Sequence, residues 1–401
     1  MLHLQPPAGI PIQFRQLAKI IGLGFSKAPC AESFLARVRT DMAVRHCYLL
    51  SSGRAALVVG LRALAQVDPA NRTEVIMPAY TCFTVAASIV RSGLTIRLVD
   101  IDPSTLDYDY GEFAKIDFAR VLAIIGCNMF GILSDWPRLR QIAQDRQIYL
   151  IDDAAQSMGG RLAGQASGTL GDIGFYSLGR GKNMTAYGGG ILLTDDDNLA
   201  KLIEGHVAGF KDSGVLAAAG IMAKLILYSL FLRPWLYWLP ASLPFLGLGE
   251  TEFEPEFDLS LLGTVQACAA SVIYDHLAEF GKIRATNARK IATAIAGLDQ
   301  YSIPGLKQDD LPNYLRLPVL MPNRLERDRA IIELKKIGIV ASHMYPSTIS
   351  RISGIGEYLV CNRVDYPGAQ QVVDCLLALP IHPYMTDSDI NKMVAYLRGK
   401  R

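Results

Sequence analysis

Two places in the chain carry residue types from which an enzyme site can be built: an acidic pair at 152–153 and a single lysine at 182. In IYLIDDAAQSMGG, residues 148–160, an apolar strand ends in two carboxylates and then small residues. A carboxylate at that end of a strand faces the crevice where α/β sheets collect ligands, and it can there hold a pyridine nitrogen protonated. The plainer alternative is a cap, with Asp152 or Asp153 accepting hydrogen bonds from the turn that follows. In GDIGFYSLGRGKNMTAYGGGILLT, residues 171–194, Lys182 lies in a glycine-rich loop between two strands. Such a lysine can condense with an aldehyde once its surroundings lower its pKa, while Ser177 and nearby amides can bind a phosphate. Most loop lysines are simply solvated. In SSGRAALVVGLRAL, residues 51–64, Ser and Gly precede an Ala/Leu-rich helix, so the amides of Gly53 and Arg54 make an anion site or the start of an ordinary Ser-capped helix.

The elements that must position these groups alternate along residues 50–195. Short Val/Ile-rich runs are predicted as strands near Glu74–Met77, Thr95–Val99, Val121–Ile125, Ile148–Ile151, Ile173–Tyr176 and Gly190–Thr194, with helical stretches between them. After an acidic, Pro-containing connector at Glu250–Asp258, a long helix is predicted from about Leu259 to Leu298. A strand-like YLRLPVLM and helices at Arg324–Ile337 and Ser388–Leu397 then form a smaller α+β unit.

Composition narrows the class. Forty Lys and Arg against 38 Asp and Glu leave a net charge of +2, which gives no electrostatic case for a nucleic-acid partner. The seven cysteines are odd in number and contain no C-x-x-C, so they read as reduced thiols; with six histidines and no metal-ligand spacing, no metal is expected. No cleaved export signal is evident at the N-terminus. The exception to ordinary composition is VLAAAGIMAKLILYSLFL, residues 215–232, whose one formal charge is Lys224. Arg233, Trp235, Tyr237 and Trp238 follow it, residue types that suit a lipid headgroup boundary.

Together these stretches resemble the sugar aminotransferase family of the DegT/DnrJ/StrS type, fold-type-I pyridoxal-phosphate enzymes. The matching pieces run from about Leu50 to Leu397: the S-G-x-A-A-L helix start, EVIMPAYTCFTVAASIVRSGLTIRLVDIDPSTLDYD, NMFG, DDAAQ, YSLGRGKN, GIVASHMYP and LALPIHPYMTDSDI. The resemblance implies an α/β fold, with a large, mostly parallel sheet sandwiched by helices and a smaller α+β C-terminal domain. It divides the chain into an N-terminal arm (1–45), a large cofactor-binding domain (46–212), an apolar insertion (213–250) and a long helix with the small domain (251–401).

By the same resemblance the cofactor is pyridoxal 5'-phosphate. Lys182 carries it and moves the proton, Asp153 pairs with its ring nitrogen, Gln156 lies beside the ring, and Ser177 with the amides of Gly53 and Arg54 holds the phosphate. The aromatic slot of the P-x-x-T block is Cys82, so stacking is expected to shift to Phe83 or Tyr80. Tyr80, Asn128, His343 and His382 are implied around the substrate. Asn128 replaces the histidine of H-x-Y-G, and FDLSLLGTVQA replaces the N-Y-R-M block that reaches a partner subunit. The expected reaction moves an amino group from an amino acid, glutamate in most of the family, to a nucleotide- or lipid-linked keto-sugar for polysaccharide or glycoconjugate synthesis. A lysine at 182 argues against the family's dehydratase branch. A homodimer with the site at its interface is implied. The alternatives are another fold-type-I chemistry, decarboxylase or synthase, and a non-catalytic cofactor-binding regulator.

The insertion admits two readings, a helical hairpin packed in the protein or an interfacial membrane contact through 215–248. The protein is expected to be cytoplasmic, and the second reading places it peripherally at the inner face of the membrane.

Overall fold

The structure, a computed structural model, describes residues 3–25, 29–211, 215–243, 252–306 and 312–399. Seven strands form the main sheet: β1 (His46–Leu50), β2 (Glu74–Pro78), β3 (Thr95–Val99), β4 (Val121–Cys127), β5 (Tyr149–Asp153), β6 (Ile173–Ser177) and β7 (Gly190–Thr194). Their spatial order is β1-β7-β6-β5-β4-β2-β3. From β3 to β6 neighbours pair in parallel, and every residue of β4 is buried, as expected for a strand covered on both faces. β7 is antiparallel to both β6 and β1, so β1 runs in the same sense as β6 and ends at the same edge of the sheet.

All six predicted strands are present to within two residues at either end, and β1 is an additional one. HCYLL is short and not strictly alternating, and what makes it a strand is pairing with β7 across more than 140 residues of chain.

Helices α1 (Phe14–Phe25), α2 (Cys30–Met42), α3 (Gly53–Val67), α4 (Phe83–Arg91), α5 (Trp136–Arg146) and α6 (Asp197–Val207) accompany this sheet. They are followed by α7 (Val215–Phe231) and the short α8 (Trp238–Ala241). The predicted long helix is two, α9 (Thr264–Tyr274) and α10 (Leu277–Ile295). His276 between them has φ −105° and ψ 1°, outside the helix, and Asp275 turns to accept a 2.5 Å hydrogen bond from Arg37 of α2. The small unit pairs β8 (Leu317–Leu320) with β9 (Leu376–Leu379), flanked by α11 (Arg324–Lys336), α12 (Pro367–Cys375) and α13 (Asp387–Leu397).

The cysteine reading needs correction. Cys30 and Cys268 form a disulfide with Cα atoms 5.0 Å apart, at the contact of α2 with α9, while Cys47, Cys82, Cys127, Cys361 and Cys375 are free. The bridged residues are 238 positions apart, a proximity that only helix packing creates.

Candidate active site

The site is built at the C-terminal edge of the sheet, where the chain turns from winding outward, β2 to β3, to winding back through β4, β5 and β6. Open α/β sheets leave a crevice at that reversal. One cavity there, ≈ 210 Å³, is lined by Ser52, Gly53 and Arg54 after β1, Thr81 and Cys82 after β2, Asp153 and Gln156 after β5, Ser177 at the end of β6, and Lys182. The predicted carboxylate, lysine, serine, glutamine and helix start therefore converge.

The acidic pair is split by the strand's alternation. Asp152 is fully buried and accepts hydrogen bonds from Asn128 Nδ2 (2.7 Å), Gly168 N (2.5 Å) and Leu170 N (3.0 Å). Burial pushes its carboxyl up to about 7 against the pull of those donors. Asp153 lines the cavity; its Oδ1 accepts from Ala155 N at 3.0 Å, and its Oδ2 has only the Cys127 thiol, 3.8 Å away. This carboxylate thus accepts from the turn that follows and also lines the cavity. Burial raises its pKa, and the neighbouring Lys182 charge pulls it back.

At the opposite wall, Ser52 Oγ accepts from Ala55 N at 3.1 Å, which caps α3 and leaves the amides of Gly53 and Arg54 outside the intrahelical ladder. A Cβ on Gly53 would meet Ser177 Cβ at 3.1 Å, so this glycine lets the helix start approach Ser177. The Arg54 side chain turns away, its guanidinium 4.4 Å over the Phe257 ring and 3.6 Å from Glu254. Gln156 is anchored by Phe130 N (3.1 Å) and by donation to Tyr345 Oη (3.2 Å).

Other expected residues lie elsewhere. The cavity wall after β2 is Thr81 and Cys82; Tyr80 and Phe83 pack instead on Tyr345, at ring-centre distances of 5.5 and 6.1 Å. Asn128 spends both ends of its amide inside the protein, donating to Asp152 and Ser167 and accepting from Ser134 N and Trp136 Nε1. It orients Asp152. His382 is buried between Pro6 O, 2.8 Å from Nε2, and Tyr384 N, which donates to Nδ1 at 3.3 Å. Its pKa is pushed down to about 4 by burial, with Arg316 and Arg284 adding to the effect, so the ring is neutral and pins the N-terminal segment. His343 is exposed on the small unit. None of these five lines the cavity.

Two residues that sequence reading did not single out flank the lysine loop. Arg284 of α10 is 1% exposed, donates to Asn183 O at 3.4 Å, and leaves Nε and Nη2 without partners; no carboxylate pairs with it among the described residues. Burial pushes its pKa down to about 10. Arg316 reaches the other side of the loop, its Nη2 3.3 Å from where a Gly181 Cβ would stand, and its Nε is also unpartnered. A buried cation such as Arg284, with no anion beside it among the described residues, marks a place for an anionic ligand, and the half-buried Arg316 adds to it.

The sequence profile of the DegT/DnrJ/EryC1/StrS aminotransferase family matches residues 22–225 and 259–398. The chain belongs to this family. The unmatched stretch between the two blocks holds the end of α7, α8 and the connector. A pleiotropic regulatory protein of Geobacillus stearothermophilus is 34% identical over 173 residues, 42% of this chain and 46% of that protein. GDP-perosamine synthase of Caulobacter vibrioides is 32% identical over 157 residues, 39% of this chain and 42% of that enzyme. The chain thus spans under half the length of these curated relatives. Among solved structures, Helicobacter pylori PseC, an aminotransferase involved in the biosynthesis of pseudoaminic acid, superimposes with a TM-score of 0.80 over 99% of both chains at 14% identity. That likeness establishes the fold, an α/β sandwich of the sugar aminotransferase type.

Proposed function

We propose that the protein is a pyridoxal-phosphate-dependent aminotransferase that passes an amino group from an amino acid, glutamate first among candidates, to a keto-sugar carried on a nucleotide or a lipid. Its place is in polysaccharide or glycoconjugate synthesis. The carrying observation is that Asp153, Ser177, Lys182 and the open start of α3 line one cavity. These groups fit the cofactor: helix amides and a hydroxyl for a phosphate, a buried carboxylate for a ring nitrogen, an amine for an aldehyde. When bound, the cofactor supplies an electron sink for charge developing at the donor's α-carbon.

The chain's own residues supply the rest. Lys182 Nζ would take the proton from that carbon and deliver it to the cofactor's C4′, and would carry a proton the other way, from C4′ to the former carbonyl carbon of the sugar, in the second half-reaction. Asp153 Oδ2 accepts the hydrogen bond that keeps the ring nitrogen protonated. Arg284 and Arg316, on either side of the lysine loop, hold a donor carboxylate, since guanidinium groups bind carboxylates as charge-assisted forks. A homodimer with the cavity at its interface, a cytoplasmic location, and a membrane-surface contact through 215–248 complete the proposal. Among the described residues no helix is long and apolar enough to cross a membrane.

Purified protein supplied with glutamate and a panel of keto-sugars should release 2-oxoglutarate in step with amino-sugar formed, and Lys182→Ala should not. Cofactor binding without release of the matching keto acid from any amino donor would favour a regulatory role, the one named for the Geobacillus relative.

A further inference from the structure

Among the described residues, seven of the eleven exposed large apolar side chains lie on two neighbouring parts of the chain: Phe14 on α1, and Ile226, Leu227, Trp235, Trp238, Leu239 and Leu243 on α7, α8 and the residues beside them. The helices run antiparallel side by side. Met222 Cε is 3.4 Å from where a Gly24 Cβ would stand, and at the other end the Arg233 guanidinium lies 4.3 Å over the Phe14 ring. α7 buries Leu225, Ser229 and Leu232 inward and turns Gly220, Ala223, Lys224 and Leu227 outward, the spacing of one helical face. The surface is continuous, and larger than the insertion alone.

Its charge has one sign. Residues 13–25 and 215–243 contain Arg15, Lys19, Lys224 and Arg233 and no Asp or Glu. Among the described residues the acid paired with these cations is Asp275, 3.9 Å from Lys19 and already bonded to Arg37. A second copy docked symmetrically here would oppose four cations to the same four. Exposed tryptophans, aliphatic side chains and an excess of cations match the boundary of a bilayer bearing anionic headgroups.

The surface also adjoins the lysine loop. Tyr228 of α7 packs edge-on against Tyr187 at 6.0 Å, Arg180 lies 5.4 Å over the Tyr187 ring, and Leu4 N donates to Pro234 O at 2.8 Å.

We propose that α1 and α7–α8 form a docking surface for an anionic phospholipid bilayer, which brings the lysine loop next to the membrane. The surface rests on and extends the membrane contact through 215–248 proposed above, and its test needs no turnover, so its failure leaves the aminotransferase reading standing. Full-length protein is floated with phosphatidylglycerol/phosphatidylcholine vesicles and with phosphatidylcholine vesicles alone. Co-flotation with the anionic vesicles, at least tenfold above the neutral ones, is expected. L227E/W235E/W238E should lose it, and R15E/K224E should lose most of it. Brominated phosphatidylglycerol should quench the wild type's tryptophan emission, and W235F/W238F, left with the buried Trp136, should lose that quenching. Wild-type protein that stays at the bottom of the gradient and is not quenched overturns the proposal. So do triple-glutamate variants that float unchanged, or that change only the oligomeric state on a sizing column, which would make the surface a self-association face.

Discussion

Asp152 and Asp153 are adjacent on β5, yet the first accepts three internal hydrogen bonds while the second lines the cavity. Strand alternation puts neighbouring residues on opposite faces, and here it separates a structural acid from a chemical one. The two asparagine variants should therefore fail differently. Asp152→Asn cannot accept from Asn128, Gly168 and Leu170 at once and should lose about 1–3 kcal/mol in urea unfolding. Asp153→Asn should unfold like wild type but lose on the order of 10²-fold or more of its transaminase rate. Equal losses in both assays for both variants would erase the distinction.

Gly53→Ala tests the phosphate cradle. The added methyl meets Ser177 at 3.1 Å, so the start of α3 must move back from the serine. The expected result is roughly tenfold weaker pyridoxal-phosphate retention on dialysis, about the loss of one hydrogen bond, with little change in melting temperature. Unchanged retention would mean that the phosphate does not lie between these residues.

Arg284→Met separates ligand binding from stability. Removing a buried cation that has no carboxylate partner should leave the free protein as stable or more so. The KM for glutamate should rise about 10–100-fold, the value of a charge-assisted hydrogen bond, with a smaller effect on kcat. A destabilised variant with an unaltered KM would assign the arginine to the core.

His382 gives a pH signature. Its folded pKa, about 4, is below the ordinary value of 6.5, so it contributes stability above pH 6.5 that is lost as pH falls toward 4. His382→Gln should flatten urea-unfolding stability across that window; a wild-type slope in the variant would show that other groups carry the acid sensitivity.

Much of this was legible in sequence because it is local. Strands 74–78 through 190–194 announce themselves by Val/Ile runs, and Lys182, Asp153 and Ser177 each stand at a strand end or in the loop that follows. What failed was non-local. Arg284 meets the lysine loop 101 residues away from its own position, and Cys30 meets Cys268 across 238. Asn128 and His382 matched motif positions, but their hydrogen bonds turn inward, a choice made by Trp136, Ser167 and Pro6 rather than by their own neighbours in the motif.

The central claim is that Lys182 is the amine that carries pyridoxal phosphate in this cavity. Protein loaded with the cofactor, reduced with borohydride and digested, should yield one pyridoxyl-modified peptide in mass spectra, with the added group on Lys182. A label on any other lysine, or none on a protein that nevertheless transaminates, would contradict it.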